Sequence, residues 1–475
     1  MTVLAPPNLL ALPPVAPRVD ERVYAFDFDP LSETGSSVRL HGWPDPSRPR
    51  EFGVSLDEAE VARLALAVVP PVAADLFDLA AAVYAADRLS PYHLGRGLRR
   101  IHVRLPLRVP APFEAAADRL AELLEWTTGS AWSFAFPQRS GLLRSTERSP
   151  GLAFPRPAAE VALWSGGLDA LAGLDARARR DSAARFVLVG VGGNDIALGR
   201  QRAVFDALEG PASGRASLAR LPVHLSGVSE MGKNDLSRAR GVVYALAGAA
   251  SAVVHGGRAL AVYENGVGAL NLPYTRAEVG LDHSRSVHPL SLRLASRFLS
   301  AVLGGPFRVH NPFLFDTKAE MLAGLAVDGR SDLVALTSSC DSPHRDVPSQ
   351  CGYCSSCVLR RQSLAAAGLP DDTRYVVPHG EPPKGDPLAY VRLASAQAER
   401  LGTLAEGGWE PLAREHPVLD DVVDRCAGDE GLDPSVFRSR LVRLLSRHAD
   451  DWDAAREPLA AGGLPGRPVH PASPA

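Results

Sequence analysis

Four of the five cysteines lie within 18 residues, with the spacing of a metal-binding site. They follow the pattern C-x10-C-x2-C-x2-C, as Cys340, Cys351, Cys354 and Cys357. Four thiolates in such a knuckle suit a tetrahedral zinc ion and leave no open coordination position, so the pattern predicts a structural zinc site. An iron–sulfur cluster and a redox thiol pair are the alternatives. His344, inside the loop, is an alternative ligand.

A short glycine turn is the second candidate for a binding site. The segment SGGLD, residues 165–169, follows the apolar run VALW and leads into the helical pattern ALAGLDARARR. A helix N-terminus offers unpaired N–H groups and partial positive charge, and glycines let the backbone approach phosphate oxygens. The turn therefore predicts a phosphate site, with Ser165 as a hydroxyl donor and Asp169 as a helix cap or Mg²⁺ ligand. A plain glycine turn with an N-cap is the alternative, and no GxxxxGK[ST] motif occurs.

Both motifs lie in a region where short strands and helices alternate. Strand patterns occur at 161–164, 186–191, 221–226, 259–264 and 333–339, and helical patterns occur at 170–180, 199–208, 237–252, 290–304 and 317–325. This alternation predicts an α/β fold with a doubly wound parallel sheet. Ligands bind such sheets outside the carboxyl ends of the strands, and SGGLD follows the first of these strands.

Composition and pattern divide the chain into four parts. Residues 1–22 form a predicted flexible arm, 23–155 an α+β domain, 156–370 the alternating α/β domain, and 371–475 a helical extension with a Gly/Pro-rich end. In the second part, the strand patterns are VYAFDFD, VRLHGW, RRIHVRLPLRVP and AWSFAFPQR. Its helical patterns are DEAEVARLALAVVPPVAADLFDLAAAVYAADRL and FEAAADRLAELLEWTT.

The bulk composition is that of an ordinary globular protein. The chain has 475 residues, a net charge of −3, 46% hydrophobic residues and 22% charged residues. The charge gives no sign of a surface for direct nucleic-acid binding. No run of about 18 apolar residues occurs and the N-terminus lacks a basic leader, so we expect a cytoplasmic protein without a membrane span. We expect Cys426 to be an isolated thiol.

Together, the two motifs resemble the 7-cyano-7-deazaguanine synthase (QueC-like) family of PP-loop ATP pyrophosphatases. The resemblance covers roughly residues 158–370 and includes RARGVVYALAGAASAV, NPFLFDTKAEMLAGL and the knuckle CGYCSSCVLRRQ. It implies a PP-loop fold, a structural Zn²⁺ ion, and ATP-dependent activation of the carboxylate of 7-carboxy-7-deazaguanine. The residues that it assigns to ATP, which is used with Mg²⁺, are Ser165, Gly166, Gly167, Leu168 and Asp169. It also makes Arg240 and Lys318, together with Asp169, the candidates for catalysis by charge neutralisation.

The chain departs from that family at three places. Ala170 stands where the family has a hydroxyl residue, the family's Gly-Tyr-Pro-Asp-Cys-Arg segment is absent, and the parts outside 156–370 are additional. These features resemble the long QueC-like proteins of bacterial anti-phage defence systems of the Qat and CBASS kinds. Those proteins carry segments like AAAVYAADRLSPYHLGRGLRRIHVRLPL, WTTGSAWSFAF and YENG. That resemblance implies transfer of the activated acyl group to an amine on a partner protein from the same operon.

Three functions stay open at this point. They are acyl transfer to a partner protein, nitrile synthesis with ammonia, and nucleotide binding by a non-catalytic scaffold. Transfer-RNA thiolation is disfavoured because the clustered cysteines are committed to a metal. The candidate substrate residues follow the strand pattern at 259–264, although Asn265-Gly266 also fits a simple turn. They are Glu264, Asn265 and Asn271, with Arg285 and His288 as further candidates.

Overall fold

The computed structural model describes ten stretches of the chain, together with Ser32 and Asp45. These stretches are 22–30, 34–42, 47–91, 98–140, 143–148, 159–228, 237–275, 285–341, 350–377 and 389–461. Apart from Arg22, the predicted arm lies outside the described residues, as do His344 and the residues after Ala461. The flexibility of the arm therefore stays a prediction.

Within the described residues, ten strands and eighteen α-helices form. The strands are β1 (Arg22–Pro30), β2 (Gly35–Gly42), β3 (Arg50–Leu56), β4 (Arg99–Arg104), β5 (Ala131–Ala135), β6 (Glu160–Leu163), β7 (Phe186–Gly192), β8 (Ala216–Ser226), β9 (Ala259–Ala261) and β10 (Arg308–His310). The first nine helices are α1 (Ala59–Ala65), α2 (Pro71–Leu89), α3 (Pro110–Ala115), α4 (Ala117–Thr128), α5 (Ser145–Arg148), α6 (Leu168–Arg180), α7 (Asp195–Asp206), α8 (Arg240–Val254) and α9 (Gly266–Leu270). The others are α10 (Pro289–Val302), α11 (Lys318–Met321), α12 (Ala323–Val327), α13 (Ser331–Leu336), α14 (Ser355–Ala366), α15 (Ala389–Glu406), α16 (Trp409–Glu415), α17 (Val418–Cys426) and α18 (Pro434–Ala461).

All ten strands belong to one sheet, in the order β10-β9-β6-β7-β8-β3-β2-β1-β4-β5. Among them, only the contacts made by β2 and β3 are antiparallel. The β3–β8 contact, in which Val54 pairs with Leu225, joins strands on either side of the predicted boundary at 155/156. The mixed α/β class and the mostly parallel sheet are thus confirmed. The PP-loop identity of the fold and the domain boundaries stay predictions.

Alternating side chains of the central strands enter two different apolar layers. All seven residues of β7 are buried, as expected for a parallel strand that is covered on both faces. Val187 and Val189 pack in a core with α2, α4, α8 and α10, whereas Phe186 and Leu188 pack in a second core with α6 and α12–α14. A third core joins α9 to the carboxy-terminal helices α15–α18. Helix α6 is therefore packed against the sheet, whereas α9 is packed against the carboxy-terminal helices.

Two serines of α10 cover the outer edge of the sheet. Ser296 Oγ accepts a hydrogen bond from Val309 N at 2.9 Å, and Ser300 Oγ accepts one from Phe307 N at 2.9 Å. The same hydroxyls contact the carbonyl oxygens of these two residues, at 3.2 and 3.1 Å. Backbone groups that an edge strand would otherwise present to another chain are paired here within the molecule.

The strand pattern at 333–339 is wrong, because the structure forms helix α13 there. A run of four to six apolar residues does not distinguish a buried strand from a short helix. The helical pattern at 317–325 is also divided, at Leu322, into α11 and α12. Strands β3 and β10 were not predicted, since β10 has only three residues and the alternating apolar pattern of β3 contains a glycine, Gly53, which is unfavourable in a strand. Among the described helices, none is both long and apolar enough to cross a bilayer.

Candidate active site and metal centre

The glycine turn between β6 and α6 is held by close backbone packing. Gly166 has φ +68°, and a Cβ there would lie 2.9 Å from Gln201 Cα in α7. Trp164 fixes the same neighbour, because its Nε1 donates to the Gln201 carbonyl at 2.9 Å. Ser165 is exposed, and its Oγ accepts a hydrogen bond from Gly167 N at 3.1 Å. The turn is therefore rigid on its α7 side and open to a ligand at Ser165.

Helix α6 begins directly after this turn and directs its amino terminus toward it. Gly167 is the N-cap residue and makes no side-chain cap. The first N–H groups of a helix have no intrahelical acceptor, and they carry partial positive charge. The N–H groups of Leu168, Asp169 and Ala170 thus form a surface that suits a phosphate group.

A buried ion pair connects the first turn of α6 to α11. Lys318 Nζ lies 2.8 Å from Asp169 Oδ2, with the lysine side chain 5% exposed and the aspartate 15%. The lysine is positioned by the residue before it. Thr317 caps α11 by accepting from Glu320 N, and Glu320 accepts in return from Thr317 N. This capping box orders the first turn of a helix that has only four residues.

Asn265 brings a second carboxyl group to the same place. Its Nδ2 donates to Asp169 Oδ1 at 2.9 Å and to Glu264 Oε1 at 2.7 Å, while its Oδ1 caps α9 by accepting from Gly268 N at 2.8 Å. Asn311 fixes the backbone of Glu264, since its Nδ2 donates to the Glu264 carbonyl at 2.7 Å. Asn265 is fully buried. One amide therefore positions two carboxyl groups and the start of a helix.

The charges in this cluster shift one another's pKa values. Burial opposes ionisation of Asp169, but the Lys318 ammonium and the hydrogen bonds from Lys318 and Asn265 outweigh it and lower the pKa of Asp169. Burial and the neighbouring Asp169 charge raise the pKa of Glu264 well above its ordinary value. Burial alone would lower the pKa of Lys318, yet Asp169 and Glu264 raise it. These shifts favour an ammonium at Lys318, a carboxylate at Asp169 and a protonated carboxyl group at Glu264.

The structure brings some of the predicted site residues together and places others elsewhere. Asn271 ends α9 in the left-handed region, with φ +43°. Arg285 lies over the Trp126 ring, 4.1 Å from its centroid, and donates to the Trp126 carbonyl at 2.8 Å. His288 caps α10 and also packs against Trp126. Arg240 is exposed at the start of α8. The residues brought together are Ser165, Gly166, Gly167, Leu168, Asp169, Glu264, Asn265 and Lys318.

Four residues that sequence reasoning missed also form the site. Thr317, Gln201 and Asn311 position its members, and Ser338 N donates to the Gly166 carbonyl at 3.4 Å. One of them left a signal in the sequence, because Thr317-x-x-Glu320 is a capping-box pattern. Gln201, Asn311 and Ser338 act through contacts between segments that are distant in sequence, and no local sequence pattern predicts such contacts.

The four clustered cysteines have the geometry of a tetrahedral metal site. Cys351 and Cys357 Sγ are 3.9 Å apart, as are Cys340 and Cys354 Sγ, and all four sulfur atoms lie within 4.8 Å of one another. A zinc–sulfur distance of about 2.3 Å gives a tetrahedral edge of about 3.8 Å, so these residues fit zinc. Cys354 N donates to Cys351 Sγ at 3.2 Å, which favours the thiolate. The cluster can hold a zinc ion with four protein ligands.

The metal centre is connected to the glycine turn through residues 337–339. Gln350, which precedes the second cysteine, donates to the Thr337 carbonyl at 3.0 Å and accepts from Ser339 N at 2.9 Å. Ser338 lies between these two residues and contacts the turn, since a Cβ at Gly167 would lie 3.1 Å from its carbonyl oxygen. The knuckle therefore supports the phosphate turn through one short segment.

Part of the chain is similar to proteins of known name. No protein-family model matches the chain. It is 45% identical over 83 residues to a 7-cyano-7-deazaguanine synthase of Cupriavidus metallidurans, which is 17% of this chain and 34% of that protein. Enzymes of the same name from Cupriavidus taiwanensis and Anaeromyxobacter sp. are 40% identical over 77 residues and 42% identical over 80 residues, each 16% of this chain and 32% and 31% of those proteins. The chain thus spans about a third of the length of the curated relatives it matches.

Proposed function

We propose that this protein activates the carboxylate of 7-carboxy-7-deazaguanine with ATP and transfers the acyl group to an amine. The observation that carries the proposal is a buried ion pair beside the glycine turn. It joins Asp169, in the first turn of α6, to Lys318 of α11. The partial similarity to 7-cyano-7-deazaguanine synthases supports the substrate class. The pair and the turn together suit a reaction in which negative charge on a triphosphate must be stabilised.

In the proposed reaction, a substrate carboxylate oxygen attacks the α-phosphorus of ATP. The bond from that phosphorus to the bridging oxygen breaks, and pyrophosphate leaves with the electron pair. The N–H groups at the start of α6, the Ser165 hydroxyl and the ammonium of Lys318 stabilise the leaving pyrophosphate. An amine nitrogen then attacks the acyl carbon, AMP leaves, and the nitrogen loses a proton. Arg240 stays a candidate for a further phosphate contact.

Asp169 and Glu264 have different proposed roles because their protonation states differ. The ionised Asp169 orients Lys318 and provides an oxygen for the Mg²⁺ ion that accompanies ATP. The protonated Glu264 is able to donate a hydrogen bond to a substrate oxygen. Magnesium, when bound, would shield phosphate charge; the four cysteines would hold zinc in a purely structural role.

The acceptor amine separates the proposal from its alternatives. We favour an amine on a partner protein of an anti-phage defence system, because the parts outside 156–370 provide surface that a small acceptor does not need. The carboxy-terminal helices pack directly on α9, beside Glu264 and Asn265. Ammonia as acceptor would give the nitrile made by the named relatives. A non-catalytic nucleotide-binding scaffold is the third function, and Ala170 favours it by removing one hydroxyl donor.

The test is release of AMP and pyrophosphate from ATP that depends on 7-carboxy-7-deazaguanine. We expect Ser165→Ala and Asp169→Ala to lower the rate by about 100-fold or more. Asp118→Ala is the matched control, since Asp118 is an exposed carboxylate in the first turn of another helix, α4. ATP binding without AMP release would contradict the enzyme function and support the scaffold. Mass spectrometry with ammonium, or with the protein encoded next to this one, then distinguishes a nitrile from an acylated protein.

A further inference from the structure

A small cavity lies between α9 and the carboxy-terminal extension. Its volume is about 60 Å³, and its walls come from α9 and the segment after it, from α14, from α15 and from α18. The walls are mostly apolar. The polar and aromatic side chains among its lining residues are Asn271, Tyr274, Gln397, His448 and Trp452. Three of these five belong to α15 and α18, helices for which the proposed reaction alone gives no role.

One polar atom beside this cavity has no partner. Trp452 is 7% exposed, and among the described residues its Nε1 has no hydrogen-bond acceptor. A buried indole N–H without an acceptor costs about 1–3 kcal/mol, so such groups are usually paired. His448 lies one helical turn before Trp452 on α18, is 4% exposed, and has a pKa lowered to about 4 by burial. Its imidazole is therefore neutral at physiological pH.

The cavity is adjacent to the carboxyl pair of the candidate active site. Gly268 lines the cavity, and a Cβ at that position would lie 2.7 Å from Glu264 Oε1 and 2.8 Å from Asn265 Nδ2. The absence of a side chain at Gly268 thus leaves Glu264 separated from the cavity by backbone alone. A ligand in the cavity would therefore lie beside the Gly268 backbone, on the side away from Glu264 and Asn265.

Helix α18 is also part of the support of the active site. Leu444 contacts α9, since a Cβ at Gly266 would lie 2.6 Å from its Cδ2. Asp451 is close enough to Thr317, which caps the helix of Lys318, for the threonine to lower the pKa of its carboxyl group and so offset part of the effect of burial. Arg443 forms an ion pair with Glu320 of the same capping box. Trp452 follows Asp451, so the residue at the cavity and the residue at the Lys318 helix are neighbours on one helix.

We propose that this cavity binds the planar heterocycle of the substrate, and that Trp452 and His448 of α18 recognise its polar edge. Gln397 of α15 contributes its Oε1 as an acceptor, because its Nε2 already donates to the carbonyls of Leu272 and Pro273. A heteroaromatic ring with acceptor atoms is the ligand that apolar walls, aromatic side chains and an unpaired N–H donor suit. A cavity needs about 10–15 Å³ of this volume for each water molecule, so it can hold about four of them. Four water molecules occupy about 120 Å³ in the liquid. This is the size range of a small bicyclic heterocycle. The inference rests on the proposed function for the identity of the ring.

The test measures binding of 7-carboxy-7-deazaguanine to the full-length protein without ATP, by isothermal titration calorimetry. Trp452→Phe keeps a ring and removes the N–H, and Ala394→Phe fills the cavity from α15. We expect Trp452→Phe to raise the Kd about tenfold and Ala394→Phe to abolish binding. Matched controls are Trp409→Phe, whose Nε1 is paired with Asp420, and Ala396→Phe, at an exposed position of α15.

Four outcomes separate this inference from the proposed function. Weaker binding in both cavity variants, with unchanged controls, supports the inference. Unchanged binding in both cavity variants overturns it, and AMP release by the same samples would leave the proposed function in place. Cavity-dependent binding without AMP release supports the inference and contradicts adenylation. An absence of binding to the unmodified protein overturns the inference. Thermal unfolding of each variant shows whether it is folded, and Trp452→Phe decides the test if Ala394→Phe is not.

Discussion

A single proton, on Glu264, sets the net charge of the buried cluster around Asp169. Two carboxyl groups and one ammonium share this site, and Asn265 donates to both carboxyl groups. If both carboxyls were ionised, the buried cluster would carry a net negative charge, which is costly without compensation. Protonation of Glu264 leaves one carboxylate for one ammonium. The raised pKa of Glu264 therefore favours a buried cluster of Asp169, Lys318 and Glu264 whose net charge is zero.

Replacement of the buried lysine tests this balance. Lys318→Met leaves Asp169 without its cation, and we expect a loss of about 3–5 kcal/mol in the free energy of unfolding together with loss of adenylation. Chemical denaturation and the AMP-release assay measure the two effects. The double variant Asp169→Asn/Lys318→Met is expected to recover much of the stability and none of the activity. If the single and double variants were equally unstable, the pair would not be the cause.

The protonated Glu264 makes a prediction about pH. Its pKa is raised in the folded state, so the folded protein retains a proton that the unfolded chain releases above the ordinary glutamate pKa of 4.5. Stability contributed by this group is present below pH 4.5 and is lost as the pH rises toward the folded pKa. Glu264→Gln removes this dependence, so its Tm should exceed that of the unmodified protein increasingly from pH 5 to pH 8. Parallel Tm curves over that range would contradict a protonated Glu264.

Helix α11 has only four residues and depends on its cap. Thr317 accepts from Glu320 N, and Glu320 also forms an ion pair with Arg443, so the capping box connects the Lys318 helix to α18. We expect Thr317→Ala to lower the free energy of unfolding by about 1 kcal/mol and to lower the adenylation rate, because the position of Lys318 is then less well fixed. Thr317→Ser keeps the hydroxyl and should keep both properties. Equal activity of the alanine and serine variants would show that the cap does not position Lys318.

The metal knuckle supports the glycine turn, which lies outside the knuckle. Gln350 and Ser338 connect the cysteine cluster to the glycine turn. Chelation of zinc should therefore lower amide protection against hydrogen exchange at 337–341 and 350–377, and also at 165–169, on the order of tenfold or more. Cys357→Ser should reproduce the pattern. Cys426→Ser, a buried cysteine outside the cluster, is the control and should leave it unchanged. Loss of protection confined to 337–377 would exclude the connection.

Elements were predictable where their pattern is long and local. The helical periods of α6, α8 and α10 extend over at least eleven residues and the strand pattern of β7 over six, and the structure forms each of these elements. The apolar run at 333–336 has only four residues, too few to show whether the spacing is that of a helix or of a strand. The cysteine spacing likewise predicted a cluster, because three ligands lie within seven residues of one another.

The candidate site was predictable only in its separate pieces. Asp169 and Lys318 are 149 positions apart in the chain, so only the resemblance put them on one list of catalytic residues. Glu264 and Asn265 were predicted as substrate residues, which stays a prediction; the contact of Asn265 with both Asp169 and Glu264 was not predicted. Trp452 and His448 had no signal, since an aromatic residue and a histidine at helical spacing are ordinary core residues.

At the scale of the whole molecule, the amino-terminal strands and the alternating region share one apolar core. The cluster extends from Tyr24 in β1 to Val309 in β10. Asp87 of α2 accepts from Arg99 and also from Ala239 N at the start of α8, so one buried carboxylate serves both halves. Glu60 of α1 forms an ion pair with Arg220 of β8. These contacts predict that the two halves unfold together.

A single substitution at the β3–β8 contact tests this cooperativity. Val54 is 4% exposed and pairs with Leu225, so Val54→Asp buries an unpaired carboxylate and should lower the free energy of unfolding by about 4 kcal/mol or more. Because the core is shared, amides of β6 and β7 should lose hydrogen-exchange protection as much as those of β1 and β2. Val327→Asp, at the exposed end of α12, is the matched control and should leave both regions protected. If protection fell only at residues 22–140 and stayed unchanged at 159–228, the halves would be separate folding units. The predicted boundary at 155/156 would then mark a division in stability as well as in sequence.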